Sequence, residues 1–410
     1  MILRQTLRKI LPRKQRKFTI RKYAVKTEKF INPRIEKLTP FIVMEILERA
    51  NEMTSRGIDV IHLEVGEPDF DPPECVTEAV RRSLSSGETH YTHSLGMREL
   101  REAIASFYNS EYNVEVNPEF IAVTSGSSPA ILLALNALCN EGDEVIISNP
   151  GYSCYKNFIY SAGAVPVELN VSASNGFQYE KKSFESAIND KTRAVFLNSP
   201  MNPSGVVAED KTFEMLAESG ITVISDEIYH GLVYGSRARS MLEFSRDSII
   251  INGFSKRFAM TGLRLGYLIV PEKLIRSVQI LQQNLFICAP SIAQRSGIAA
   301  LQCAGDDVRK MVSVYDERRK YMLARLEKIG FSVSAEPMGA FYIFCDARKY
   351  TNDSYSFALE ILDNAHVGIT PGVDFGTNGE GFVRFSYANS MERIKEGMDR
   401  IEKYLSSRNK

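Results

Sequence analysis

A lysine and an arginine eight residues apart, Lys256 and Arg264, follow a short apolar run, Ile249–Gly253. A lysine at the end of a buried strand is poorly hydrated and lies near other cations, and both effects lower the pKa of its amine. A Schiff base with a carbonyl compound forms from a neutral amine of this kind. An arginine that returns to the same site can bind a dianion through two hydrogen bonds. The alternative, a surface lysine and arginine beside a turn, fits these apolar flanks less well.

A second candidate site is the turn Ser125-Gly126-Ser127-Ser128-Pro129, which leads from an apolar strand into a helix. Small residues leave backbone N–H groups free at the positive end of a helix, where phosphate binds, and Pro129 suits the first helical turn. The turn matches neither the P-loop nor the dinucleotide-binding fingerprint, which argues against a nucleoside triphosphate or a dinucleotide. Taken alone, a plain strand-to-helix turn explains it equally well.

The segments between these motifs predict an α/β fold with a mostly parallel central sheet covered by helices. Strands that are apolar on both faces and alternate with helices are typical of such sheets. We predict strands at Phe120–Ser125, Glu144–Ser148, Ala194–Asn198, Thr222–Ser225, Ile249–Gly253 and Tyr267–Val270, and helices at Pro129–Cys139 and Glu209–Ser219. Parallel sheets bind ligands at the carboxyl ends of their strands. Those ends carry Ser127, Asn198, Asp226 and Lys256, so we expect the four residues to share one rim.

After about residue 290 the pattern changes to long charged helices around short strands, which predicts a smaller α/β lobe. Its predicted elements are helices at Asp307–Ile329 and Met391–Ser406 and strands at Phe331–Ser334, Gly339–Cys345 and Phe382–Tyr387. We therefore predict four parts: a disordered arm at 1–28, a segment at 29–60 that packs with the small domain through a helix at 41–56, a large ligand-binding domain at 61–290 and a small C-terminal domain at 291–410.

Charge is distributed unevenly along the chain. Residues 1–27 hold ten of the 50 basic residues and none of the 50 acidic ones, so 40 bases face 50 acids in the rest. An acidic body has no general affinity for nucleic acid. The arm lacks an apolar core, which excludes a secretory signal. It fits either a solvated tail or a mitochondrial presequence, and we favour the tail.

The cysteines and one uncharged run bear on location. Six cysteines without a C-x-x-C pair indicate reduced thiols and a cytoplasmic protein. The uncharged run Phe120–Asn140 is interrupted by the serine-rich turn, so we interpret it as a strand, a turn and a helix and not as a membrane span.

None of the five histidines predicts a metal site. Glu227 and His230 have the Glu-x-x-His spacing of di-iron bundles, but such bundles require a second copy, which the sequence lacks. His62 lies in an apolar strand, and we interpret it as a core histidine with satisfied hydrogen bonds. We assign no metal.

Motifs across residues 40–405 resemble those of the fold-type I, pyridoxal-5′-phosphate (PLP) dependent aminotransferases of class I/II, which include aspartate, alanine and aromatic aminotransferases. The matching motifs are Gly66-Glu67-Pro68-Asp69-Phe70, Tyr91-Thr92 followed by Gly96, Asn202-Pro203-Ser204-Gly205, Asp226-Glu227-Ile228-Tyr229, the Lys256 motif, Pro371-Gly372 followed by Phe375-Gly376, and Val383-Arg384-Phe385-Ser386.

The resemblance implies catalytic roles for the matching residues. Lys256 would carry PLP as a Schiff base and act as general base and acid in the proton shift. Asp226 would pair with the pyridine nitrogen, and its alternative role is that of a core aspartate that caps a helix. Tyr229 and Asn202 would donate to the phenolate oxygen of the ring. Tyr152 would stack on the ring, although an isolated tyrosine is more often core filling.

The resemblance also implies contacts for the phosphate and the substrate. Ser127, Ser128, Ser255 and Arg264 would bind the phosphate. Tyr91 would reach the phosphate of a neighbouring subunit, which implies a homodimer with shared sites. The substrate α-carboxylate would be bound by Arg384 with the help of Gly66 and Asn202.

The predicted activity is a ping-pong transfer of an amino group between an L-amino acid and a 2-oxo acid. The sequence departs from the family pattern at Gly253, where a serine or threonine is frequent. It also has Ser128 where some aspartate-using members have a lysine. The second departure favours neutral donors, alanine-like or larger and apolar, over aspartate.

Two alternative functions stay open at this stage. A PLP-dependent β-lyase or synthase would keep the same cofactor residues. A non-catalytic regulator on this fold would carry a winged-helix domain, and the fewer than about 45 residues before the body are too few for one.

Overall fold

The computed structural model describes residue 32, residues 34–235 and residues 237–408. Among the described residues, the chain divides into two units after residue 39, and the described residues from 40 to 408 form one compact unit. Within the smaller unit the described residues contain a single 3-10 turn, Ile35–Lys37. The predicted arm at 1–28 lies outside the described residues.

Helices and strands alternate through the larger unit. The helices are α1 (Ile42–Ser55), α2 (Glu74–Ser85), α3 (Arg98–Tyr112), α4 (Ser127–Leu138), α5 (Cys154–Ser161), α6 (Lys181–Ala187), α7 (Asp210–Glu218), α8 (Glu272–Leu285), α9 (Ser291–Cys303), α10 (Gly305–Ile329), α11 (Ser354–Ala365) and α12 (Met391–Arg408). The strands are β1 (Ile61–His62), β2 (Ile121–Thr124), β3 (Glu144–Asn149), β4 (Val165–Asn170), β5 (Thr192–Asn198), β6 (Thr222–Asp226), β7 (Ile249–Gly253), β8 (Gly266–Ile269), β9 (Tyr342–Asp346), β10 (Val367–Gly368), β11 (Thr370–Pro371) and β12 (Phe382–Ser386).

In the described ranges, the large sheet has seven strands in the order β2-β8-β7-β6-β5-β3-β4. Only β8 runs against its neighbours, β2 and β7, and the other pairs are parallel. Alternate side chains of β5 enter different cores: Val195 and Leu197 pack with α3 and α9, whereas Ala194 and Phe196 pack with α4 and α5. The predicted α/β fold, with a mostly parallel sheet covered on both faces, is therefore confirmed.

The six strands that we predicted for this sheet are all present, and the prediction missed β4. This edge strand pairs with β3 alone and none of its residues is buried. Because one of its sides faces solvent, β4 lacks the continuous apolar run by which the other strands were recognised.

Two small sheets follow. Strands β11, β12 and β9 form an antiparallel sheet, and β1 pairs in parallel with β10. The predicted strands at Gly339–Cys345 and Phe382–Tyr387 correspond to β9 and β12. The predicted strand at Phe331–Ser334 is wrong: its backbone forms only an isolated bridge from Ser332 to Asp346. The apolar character of this run comes from Phe331, which is buried against the aromatic rings of the small-sheet core.

Helix packing bears on the predicted domains. Helix α1 contacts β11 and α11, whereas α9 packs against α2 and α3 of the large-sheet side. The division into four parts stays a prediction.

The uncharged run 120–140 forms β2, a turn at Gly126 and α4, as expected. None of the helices in the described ranges is long and apolar enough to cross a membrane.

Candidate active site

The carboxyl ends of β2, β5, β6 and β7 meet at a cavity of about 380 Å³. Of the twelve predicted site residues, eleven line it: Gly66, Ser127, Ser128, Tyr152, Asn202, Asp226, Tyr229, Ser255, Lys256, Arg264 and Arg384. Tyr91 does not line the cavity, and it is 81% exposed. The large sheet thus brings the predicted rim together, and residues from the small sheets close it.

Lys256 lies three residues beyond β7, and its amine points into the cavity. Its Nζ donates a hydrogen bond to the backbone carbonyl of Gly66 at 2.6 Å. Burial lowers the pKa of Lys256 to about 8, with further lowering by Arg264 and Arg384, while Glu67 and Asp226 act in the opposite direction. A useful fraction of this amine is therefore neutral near physiological pH.

Asp226 is the last residue of β6 and is buried at the cavity floor. Its Oδ2 accepts a hydrogen bond from the Tyr155 hydroxyl at 2.6 Å, and its Oδ1 accepts one from the Ile228 N–H at 3.1 Å. Burial raises the pKa of Asp226 to about 6, and the two hydrogen bonds and Lys256 oppose this rise. A cation placed against this carboxylate would keep it ionised.

One end of the cavity is suited to an anion. Ser127 and Ser128 are the first residues of α4, so their backbone N–H groups point out of the positive helix end. Gly126, with a φ of 98°, precedes them, and a side chain there would overlap the Arg264 guanidinium. Gly266 of β8 lies so close to the Gly126–Ser127 backbone that it has no room for a Cβ.

Aromatic rings form part of the wall. Tyr152 makes an edge-to-face contact with Tyr155 at 5.1 Å between ring centroids, and Tyr155 stacks on Phe196 at 4.4 Å. The hydroxyls of Tyr229 and Tyr342 are 2.9 Å apart.

Arg384 of β12 enters the cavity from the opposite side and is almost fully buried. Its Nη1 donates to Asn202 Oδ1 at 2.9 Å, and its Nη2 donates to the Glu64 carbonyl at 2.7 Å and to Thr370 Oγ1 at 3.1 Å. The guanidinium lies over the ring of Tyr342, 4.2 Å from its centroid. Its Nε has no hydrogen-bond partner among the described residues, so the group retains capacity for an anionic ligand.

Three parts of the site were missed in the sequence. Tyr155 lies in the first turn of α5, and its hydrogen bond to Asp226 joins residues 71 positions apart, so no local pattern identified it. Tyr342 was predicted only as part of a strand. The apolar wall from the start of α1, which includes Phe41, Met44 and Leu47, carries no motif.

The family model described as aminotransferase class I and II matches residues 58–401. The chain belongs to this family. It is an aminotransferase, and class I/II aminotransferases in general depend on PLP and act on amino acids and 2-oxo acids.

Known relatives of this aminotransferase differ in what they act on. It is 41% identical to the (5-formylfuran-3-yl)methyl phosphate transaminase of Methanocaldococcus jannaschii, over 92% of this chain and all of that protein. It is 38% identical to the aspartate aminotransferase of Thermotoga maritima, over 92% of this chain and all of that one. A solved Methanococcus jannaschii structure, described as similar in its active site to kynurenine aminotransferases, superposes with a TM-score of 0.86 at 41% identity, over 92% of this chain and all of that one.

The cavity of this aminotransferase fits PLP by the chemistry of its groups. An aldehyde requires an amine of lowered pKa, which Lys256 has. A pyridinium nitrogen requires a buried anion, which Asp226 provides. A phosphate requires the free N–H groups of α4 and the Arg264 guanidinium, and the missing side chains at Gly126 and Gly266 leave room for that approach.

Proposed function

We propose that this aminotransferase binds PLP covalently at Lys256 and transfers an amino group between an L-amino acid and a 2-oxo acid by a ping-pong mechanism. We further propose that it favours neutral donors, alanine-like or larger and apolar, over aspartate. The observation that carries the proposal is that one cavity holds the Lys256 amine, the buried Asp226 carboxylate and the Arg384 guanidinium.

Each of these groups has a task in the proposed reaction. When bound, PLP supplies an electron sink for the pair released from the substrate Cα–H bond. Lys256 moves the proton, because its pKa of about 8 lets it both accept and donate near neutral pH. Asp226 keeps a cationic ring nitrogen charged. Arg384 binds the substrate carboxylate and thereby holds the Cα–H bond within reach of Lys256.

The wall of the cavity supports the preference for neutral donors. The basic residues that line it are Lys256, Arg264 and Arg384, and the proposal assigns each of them to the cofactor or to the α-carboxylate. No further cation lines the cavity within the described residues to receive a second carboxylate. Phe41, Met44 and Leu47 present apolar surface instead, where burial of an unpaired charge is unfavourable.

A homodimer with shared sites forms part of the proposal. Tyr91, Leu285 and Ile287 are large apolar residues with about half or more of their surface exposed. They lie on one face, because the Thr92 N–H donates to Cys288 Sγ at 3.4 Å. Exposed apolar groups in such a cluster are typical of an interface, and we propose a second copy of the chain as the partner.

A cytoplasmic location, with mitochondrial targeting as the alternative, stays a prediction from the sequence.

A substrate panel tests the proposal. The PLP-loaded protein is assayed with alanine, leucine, phenylalanine, aspartate and glutamate, each with pyruvate, 2-oxoglutarate and oxaloacetate. We expect turnover with alanine or an apolar donor at a higher kcat/KM than with aspartate. No turnover with any pair would contradict the activity, and pyruvate with ammonia from cysteine or cystathionine would indicate a lyase instead.

A further inference from the structure

Residues 61–66, here called the clamp segment, accept hydrogen bonds from both the Lys256 amine and the Arg384 guanidinium. The backbone carbonyl of Glu64 accepts the hydrogen bond from Arg384 Nη2 at 2.7 Å. The backbone carbonyl of Gly66, two residues later, accepts the one from Lys256 Nζ at 2.6 Å. The position of this short segment therefore influences how far the carboxylate-binding guanidinium lies from the reactive amine.

The small sheets hold the clamp segment at its middle. The Leu63 N–H donates to the Gly368 carbonyl at 3.0 Å, and the Ser386 N–H donates to the Leu63 carbonyl at 2.7 Å. Thr370 Oγ1 donates to the Glu64 carbonyl at 3.2 Å, so the same carbonyl serves both Thr370 and Arg384. These contacts fix the backbone before Glu64, but they leave its side chain to be placed by other groups.

The Glu64 side chain is fully buried, and Glu64 does not line the cavity. Its Oε1 lies 2.7 Å from His62 Nδ1, and its Oε2 has no hydrogen-bond partner among the described residues. Gly368 lies directly against it, and any side chain there would overlap the carboxylate. A buried carboxylate is strongly unfavourable without a partner, so the side chain of Glu64 depends on His62.

We propose that the His62–Glu64 pair is a positioning device for the substrate carboxylate site. It holds Glu64, and through the Glu64 carbonyl it sets the orientation of Arg384. The inference rests on the proposed function, in which Arg384 binds the α-carboxylate. His62 does not line the cavity, and so it acts only through its neighbours. Its side chain is 30% exposed, which distinguishes it from the core histidine predicted from the sequence.

The pair is also expected to respond to pH. The hydrogen bond to Glu64 raises the pKa of His62 above its ordinary value, against the opposing effects of burial and of Arg393 on α12. Arg393 is itself paired with Asp59 at 2.7 Å, which reduces its influence on His62. Below its raised pKa, His62 is protonated and forms an ion pair with Glu64. As pH rises through that pKa, His62 loses its charge and the attraction to Glu64 weakens. Substrate affinity should fall over the same interval.

Three variants test the proposal: His62→Gln, Glu64→Gln and the double variant. His366→Asn is the matched control, because His366 precedes β10 and has a φ of 56°, a conformation that asparagine tolerates. The measurement is the single-turnover half-reaction of the PLP-loaded enzyme with an amino acid, which separates the dissociation constant from the limiting rate. We expect His62→Gln to raise the dissociation constant about tenfold and to change the limiting rate less than about twofold.

The double variant should bind substrate no more weakly than His62→Gln, because it removes the unpaired buried charge as well. An NMR titration of His62 in the cofactor-free protein gives a readout independent of activity, and its pKa should fall in Glu64→Gln. If His62→Gln does not fold, the comparison of Glu64→Gln with wild type carries the test: only wild type should lose affinity as pH rises through the His62 titration.

Two results would overturn the proposal: an unchanged dissociation constant in His62→Gln, or effects of the two single variants that simply add. A wild-type enzyme that reacts with no amino acid would overturn the proposed function instead, so the two failures are distinguishable.

Discussion

The cofactor side of the cavity and its substrate side are built in different ways. On the cofactor side, Ser127, Asp226 and Lys256 lie at or just beyond the ends of β2, β6 and β7, which run in the same direction in one sheet. On the substrate side, Arg384 is held by Asn202 and by the Glu64 carbonyl, which are 182 and 320 residues away in sequence. Strand ends place the first set directly, whereas the second set depends on contacts between distant segments. In the proposed function, the large sheet therefore positions the cofactor-binding groups, and the contacts of the small sheets with it position the substrate-binding guanidinium.

Removal of the amine should have the largest effect, and it tests the cofactor side. Lys256→Ala loses both the covalent attachment and the proton-transfer group, so we expect kcat to fall at least about 1000-fold. Steady-state assays with the best donor from the panel measure it, and circular dichroism checks the fold. A variant that retains a tenth of the activity would show that another group moves the proton.

Removal of the guanidinium tests the substrate side. Arg384→Ala should lower kcat/KM roughly 10- to 100-fold, because a charge-assisted contact with the carboxylate contributes about 1.5–3 kcal/mol. Arg384→Lys keeps the charge and serves as the matched control, with a partial loss expected. Cofactor binding should stay unchanged in both variants, and a loss of PLP would contradict the separation of the two sides.

The pH dependence of cofactor loading tests the environment of Lys256. With a pKa of about 8, the neutral fraction of the amine rises about tenfold between pH 7 and pH 9 and then levels off. We expect the rate of PLP incorporation into the cofactor-free protein to follow that curve. A rate that continues to rise toward the ordinary pKa of lysine would mean that burial does not act on this amine.

Tyr155→Phe should have a smaller effect, confined to the cofactor side. It removes the hydroxyl that donates to Asp226 at 2.6 Å, so the pKa of Asp226 should rise further above about 6. A smaller fraction of Asp226 is then ionised in the cofactor-free protein, so PLP should bind about fivefold less tightly, within the usual range for one hydrogen bond. The dissociation constant for PLP measures this change, while KM for the amino acid should stay the same.

Ser128→Lys should have the smallest effect and links the two sides. A cation at this position would meet a distal carboxylate, so the ratio of kcat/KM for aspartate to that for alanine should rise by about twofold to threefold. Ser128→Ala is the control without the charge. An unchanged ratio would place the distal group of the substrate elsewhere in the cavity.

The same difference between the two sides explains what the sequence could predict. The central strands, the rim and eleven of the site residues could be located, because apolar runs, strand ends and motifs are local features of the chain. The edge strand β4 was missed because it lacks a continuous apolar run. Tyr342 and the wall from α1 were missed because their place in the cavity results from packing between the small sheets and the rest. The Glu64 oxygen that has no hydrogen-bond partner in the described part of the chain is likewise visible only in the folded structure.

Covalent trapping tests the central claim most directly. The PLP-loaded protein is reduced with borohydride, digested and mapped by mass spectrometry, with and without prior addition of an amino acid. We predict a single labelled lysine, Lys256, and loss of that label when the amino acid is added first, as the cofactor takes up the amino group. A label on another lysine, or a label on Lys256 that no amino acid removes, would contradict the account.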